Sequence, residues 1–120
     1  MIVTPERIRL AEAYLDAGEA LHAHDMLVEH RDELAGTSAG LMLMARVYYH
    51  TAQLGRAETT LRELVEREPA DHYARFLLGR TLERAHRAGE ALPHYRVAAA
   101  MSADPEYRER LDTVSARLAA

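Results

Sequence analysis

A chain of 120 residues without a single cysteine can build neither a disulfide framework nor a thiolate zinc site. Its hydrophobic content of 48%, with only 6% aromatic residues, points to a core of Leu, Ala, Met and Val, of which Leu, Ala and Met favour helix. A net charge of −4 lacks the clustered positive charge that non-specific nucleic-acid binding needs, and it gives no support for adhesion to anionic lipid. Neither nucleic acid nor membrane is therefore expected as a partner. The 15 basic residues are all Arg, which points to a GC-rich coding sequence. The start, Ile2-Val3-Thr4-Pro5-Glu6, lacks a basic region followed by an apolar run, so no signal peptide is expected. No stretch approaches the length of an apolar membrane span, and a cytoplasmic location is the expectation.

The first helix is predicted to begin near Thr4, a good cap, with Pro5 at the first helical position, where its missing N–H costs nothing. Gly18 interrupts it, and a partner helix is predicted over 20–33. Ala35-Gly36-Thr37-Ser38 is a turn that also supplies a cap. A second helix pair is predicted at 38–51 and 54–67, broken near Gln53. The third is predicted at 72–85 and 88–102, broken around Ala85-His86, with Pro69 and Asp71 separating it from the second. Asp104-Pro105 starts a seventh helix over 105–119. Its apolar residues Tyr107, Leu111, Val114 and Leu118 form one stripe, and charged residues cover the rest, as the closing element of a repeat stack requires. The N-terminal side has no matching closure beyond Ile2 and Val3, so a contact surface is expected there.

These pairs repeat. Ala11, Ala45 and Gly79 stand 34 residues apart, and so do Leu10, Met44 and Leu78 before them and Tyr14, Tyr48 and Leu82 after. Ala23, Ala57 and Ala91 keep the same period, as do Leu27, Leu61 and Tyr95. A shared period of this length in helix-forming sequence marks stacked helix pairs. The small residues let the two helices of a pair approach, and the large ones fill the space on either side.

On these residues the chain resembles the tetratricopeptide repeat family, whose unit has the form W-x2-L-G-x2-Y followed by A, an apolar residue, A and P. Leu41, Met44, Ala45, Tyr48, Ala57, Leu61 and Pro69 carry the best-matching unit. Leu78, Gly79, Leu82, Ala91, Tyr95 and Ala98 carry the third, and Leu10, Ala11, Tyr14, Ala23 and Leu27 the first. Arg7 and Arg75 depart from the pattern where Leu41 follows it, His30 replaces a small residue, and Ala35 and Ala103 stand where Pro69 does. The resemblance implies an all-α, right-handed α-α superhelix within one domain over 1–120. Three helix hairpins, near 4–37, 38–71 and 72–105, would be followed by a capping helix near 105–119.

It also implies function. Such arrays line a concave groove with the first helix of each pair and bind a peptide or partner segment there, as adaptors, scaffolds or co-chaperones. By register the groove would hold Ile8, Glu12 and Leu15 from the first unit, and Met42, Arg46, Tyr49 and His50 from the second. Tyr73, Phe76, Arg80, Glu83 and Arg84 would come from the third. Met42, Tyr49, Tyr73 and Phe76 are large apolar groups that helix-pair packing does not need, and such groups are enriched at interfaces. Arg46, Arg80 and Arg84 can fork onto a carboxylate. Phe76→Ala together with Arg80→Ala is therefore expected to abolish capture and leave helical content intact. The Lys, Asn and Arg set by which co-chaperone domains clamp an acidic chain end is missing, because Ile8, Glu12, Leu43, Tyr73 and Leu77 occupy those positions. A homodimer that fills its own groove or N-terminal face is the rival expectation.

Other chemistry finds little support. His22 and His24 are two apart on a helix and diverge, and Glu90 with His94 offers only two ligands, so neither metal nor other cofactor is expected. Ser38, Ser102 and Ser115 lie in no nucleophile motif and no glycine loop cradles phosphate, so no catalytic residue is expected.

Overall fold

The computed structural model describes residues 2–120, and Met1 lies outside them. Among the described residues every regular element is helical and no strand occurs. In chain order they are α1 (Pro5–Asp16), α2 (Ala20–Leu27), a 3-10 turn (Val28–His30), α3 (Arg31–Leu34), α4 (Ser38–His50), α5 (Leu54–Arg67), α6 (His72–Arg84), α7 (Ala88–Met101) and α8 (Pro105–Ala119). None is long and apolar enough to cross a membrane. They group into two compact units, Met1–Thr60 and Leu61–Ala120, whose boundary falls inside α5.

Side-chain caps decide where helices start. Thr4 Oγ1 accepts the Arg7 amide at 3.1 Å and Thr37 Oγ1 that of Gly40 at 3.0 Å. Asp71 does the same for Ala74 at 3.0 Å, and Asp104 for Glu106 at 2.9 Å. Each satisfies an amide that the first helical turn leaves open.

The turns inside the pairs are copies of one another. Gly18, Ala52 and His86 adopt positive φ, at +81°, +60° and +61°. In each turn the next amide returns to a carbonyl five residues back: Glu19 to Tyr14 at 2.8 Å, Gln53 to Tyr48 at 2.8 Å, Arg87 to Leu82 at 2.9 Å. The positive-φ residue itself donates three back, to Leu15, Tyr49 and Glu83. This two-bond closure satisfies the carbonyls at a helix end and requires a left-handed residue. The next helix then opens on the same bond, Ala23 to Glu19, Ala57 to Gln53 and Ala91 to Arg87. One turn therefore recurs at the 34-residue spacing of the sequence pattern, although Gly, Ala and His share no side-chain chemistry.

In the first unit, Ala11 and Ala23 are fully buried, with Leu15 and Leu27 beside them in the core. The helix predicted over 20–33 is broken. Val28–His30 tightens to a 3-10 turn around the buried His30, whose ring nitrogens lie 3.5 Å from Glu29 and 4.0 Å from Glu33. Two arginines serve carbonyls at that break: Arg7 Nη1 donates to Met26 and Arg31 Nη1 to Val28, both at 3.1 Å. Val3 is buried, and its amide donates to both Glu33 carboxylate oxygens at 2.9 and 3.0 Å. Gly40 sits so close to the end of α3 that a Cβ there would strike the Leu34 carbonyl.

In the second unit α6 and α7 are unbroken. A Cβ on Gly79 would meet the Tyr95 ring at 2.5 Å, so this position of α6 admits only glycine beside a buried tyrosine. Phe76 then lies between two further rings, 5.6 Å from that of Tyr95 and stacked at 4.5 Å on that of Tyr107 in α8. The apolar stripe of α8 predicted from sequence packs as expected at Tyr107, Leu111 and Val114, which are buried, whereas Leu118 is exposed.

Candidate functional site

The repeat register predicts one lining residue set, and the two units use its members differently. In the first unit, Ile8 and Glu12 of α1 are half-buried and exposed, while Leu15 is buried in the core. On α4, Met42 is half-buried and His50 exposed. Tyr49 is only 7% exposed, with its ring edge-on to His50 at 5.2 Å. Arg46 is committed within the unit, its Nη2 donating to Asp16 at the end of α1 at 3.0 Å. Tyr49 and Leu15 are thus core residues, because the helical stripe that carries them also carries the buried Ala11 and Ala45.

In the second unit all the candidates lie on α6. Tyr73, 41% exposed, and Arg84 face outward. Phe76 does not: it is 4% exposed, sealed by Tyr107. This corrects the expectation that helix packing has no use for it, since the closing helix supplies the ring that covers it. The double substitution of Phe76 and Arg80 is accordingly a core substitution as well as a surface one, and its effect on helical content is not separable from packing.

Glu83 is likewise an internal clasp. Its Oε1 accepts the Tyr95 hydroxyl at 2.7 Å, and its Oε2 faces Arg110 at 3.5 Å and Arg117 at 3.3 Å on α8. Burial, and then the hydrogen bond to the Glu83 carboxylate, push the Tyr95 hydroxyl far above the usual tyrosine range. Arg80 stands 4.0 Å from Glu106 on the same closing helix. Burial also raises the Tyr107 hydroxyl, which is hydrogen-bonded to His72 Nδ1 at 2.9 Å. Sequence reasoning missed this clasp because its members lie on three helices, and of the separations from Glu83 only the 34 residues to Arg117 coincide with the repeat. The opposite charges of Glu83 and Arg117, one repeat period apart, were the available signal.

Two of the histidines make local contacts on α2. His22 is 3.1 Å from Glu19 and stacks on Tyr14 at 4.7 Å, and His24 is 3.4 Å from Asp25. Among the described residues no three His, Cys, Asp or Glu side chains converge as a metal site would require. Two open clefts stand out. One, in the first unit, is lined by Gly18 to His22 and His50, with a volume of about 350 Å³. The other, in the second unit, has about 310 Å³ between α5, α6 and α7, with Arg62, Glu66, Arg75 and His94 around an apolar floor of Val65 and Leu78. No protein-family model matches this chain, and no curated protein matches it either.

Proposed function

We propose that this chain is a non-enzymatic protein–protein interaction module of the tetratricopeptide type, working in the cytoplasm. In this reading the hairpins stack as a right-handed superhelix, and the leading helices α1, α4 and α6 present a partner-binding surface. The observation that carries it is the threefold recurrence of one turn at Gly18, Ala52 and His86, in phase with buried small residues at Ala11, Ala45 and Gly79. Repeats of that kind spend their sequence on stacking and leave function to the side chains that stacking does not use. Those are Ile8, Glu12, Met42, His50, Tyr73 and Arg84, each half or fully exposed, with Arg46 and Arg80 at the margin. Binding works by differential burial of a partner segment, with no covalent step, and micromolar strength corresponds to about −8 kcal/mol.

The test is affinity capture from native lysate, followed by titration of the purified partner against the wild type and a Tyr73→Ala/Arg84→Ala variant. The variant is expected to weaken binding at least about tenfold, a difference of about 1.4 kcal/mol, with an unchanged unfolding midpoint. Unaltered affinity would remove α6 from the surface, and failure to retain any partner would remove the reading. A homodimer is the second reading. It draws on three large apolar residues exposed in the first unit, Ile2 at 82%, Leu10 at 49% and Leu21 at 70%. Light scattering across a concentration series decides it, because a monomer at every concentration excludes the dimer.

A further inference from the structure

The first and third repeats carry arginine at the same register position, and only one of the two has an acceptor. Arg7 donates to the Met26 carbonyl, which α2 leaves open by ending at Leu27. The matching carbonyl in the third repeat belongs to His94, in the middle of the unbroken α7, where it is used by the helix itself. Arg75 accordingly has a fully buried Nε with no hydrogen-bond partner among the described residues. A buried guanidinium nitrogen without an acceptor is costly, and each such group in a folded protein calls for an explanation.

Arg75 lines the cleft of about 310 Å³ in the second unit, together with Arg62 and His94, over an apolar floor of Val65 and Leu78. We infer that this cleft binds a small aliphatic carboxylate, whose oxygens take the Nε–Nη edge of Arg75 and whose alkyl part lies on Val65 and Leu78. A planar carboxylate matches that edge with two parallel hydrogen bonds, which a spherical anion cannot do. The volume lies at the low end for ligand pockets, so a compact ligand fits better than an extended one. Arg75 as a whole is only half-buried, and the proposal includes a turn of its guanidinium toward the opening that brings the covered nitrogen to the ligand. Glu66 on the rim is the competing acceptor within the chain. The overall charge of −4 opposes an anion only at long range, where salt screens it, whereas Arg75 acts at contact. This site is separate from the partner surface proposed above and stands or falls independently of it.

The experiment is a butyrate titration of the full-length chain, followed by the Arg75 Nε–H signal in proton–nitrogen correlation spectra at constant ionic strength. Saturable movement of that signal is expected with butyrate and not with butyramide or chloride. Arg75→Met, which keeps the apolar stem, is expected to weaken the response at the cleft residues at least about tenfold. Glu66→Gln is expected to strengthen it. A response equal to that of chloride overturns the proposal, as does binding that survives Arg75→Met. Phosphate binding as tightly as butyrate removes the aliphatic part of the assignment. If Glu66→Gln shifts the Arg75 signal while butyrate moves it in neither the wild type nor the variant, Glu66 is the acceptor and the proposal is overturned.

Discussion

The first helix pair and the last share a register but are finished in different ways. In the first unit α2 breaks around His30, and the break is repaired by side chains from outside the helix: Arg7 and Arg31 on carbonyls, Glu33 on the Val3 amide. In the second unit α7 is continuous, and the finishing is aromatic, with Phe76 enclosed by Tyr95 and Tyr107 and Glu83 tying three helices together. Of the apolar positions that recur every 34 residues, Leu10 and Tyr14 alone are not buried, and both belong to the first unit. The contrast teaches that a repeat supplies the hairpin, while what lies over the hairpin decides which of its residues become core.

The sharpest way to break that comparison is to delete a ring from each side. Phe76→Ala is expected to cost about 3–5 kcal/mol, since it empties an enclosed aromatic site. Tyr14→Ala, half-buried and stacked on the exposed His22, is expected to cost about 1 kcal/mol. Urea unfolding at constant m-value measures both, and equal losses would show that the closing helix does not create the difference. Next in size is Gly79→Ala, expected to cost about 2 kcal/mol by pressing a methyl into the Tyr95 ring. The first repeat tolerates alanine at this position, where Ala11 is fully buried and Leu27 stands in place of the tyrosine. Tyr95→Leu should therefore absorb most of the Gly79→Ala loss, and a double-mutant cycle with no coupling would refute the pairing.

The clasp gives a smaller, pH-dependent effect. The folded state holds the Tyr95 hydroxyl protonated well above the usual tyrosine value of 10.0, chiefly by burial. Above about pH 10 the unfolded chain gives up a proton that the native chain keeps, so stability falls as pH rises. Below that pH the contribution is fully present. The chain has no cysteine and all its basic residues are Arg, so tyrosines are the side chains that titrate in this window. Tyr95→Phe is expected to cost about 1 kcal/mol at neutral pH through the lost bond to Glu83. It should also flatten the decline between pH 10 and pH 12, leaving the weaker slope of Tyr107. An unchanged alkaline profile would remove Tyr95 as its source.

Helix starts were legible because Thr4, Asp71 and Asp104 act through their own side chains on amides two or three residues away. The 34-residue period was legible because close helix approach admits few residue types, hence Ala or Gly at 11, 45 and 79. The break at Val28–His30 was not, since it depends on burying an imidazole beside Glu29 and Glu33, which periodicity does not encode. Nor was the fate of the proposed lining residues. Register put Phe76 and Tyr73 on one helix face three residues apart, but only the position of Tyr107 decides that one is sealed and the other exposed.

The smallest expected effects lie in the turns and are the most direct comparison of the pairs. Ala52 and His86 hold a left-handed conformation that costs an L-residue about 1 kcal/mol, and Gly18 holds the same conformation without that cost. Neither a cavity nor a polar contact changes with substitution at Gly18, where an added Cβ would meet nothing within 4 Å. Gly18→Ala is thus a pure conformational test, expected to destabilise by about 1 kcal/mol. Ala52→Gly and His86→Gly are expected to stabilise by about 0.5–1 kcal/mol, the relief of strain being partly offset by the greater freedom of glycine in the unfolded chain. The measurement is the unfolding midpoint of the three single variants side by side. Opposite signs at Gly18 and the other two positions follow only if one turn geometry recurs at all three, whereas the same sign throughout would mean that the turns differ despite their shared spacing.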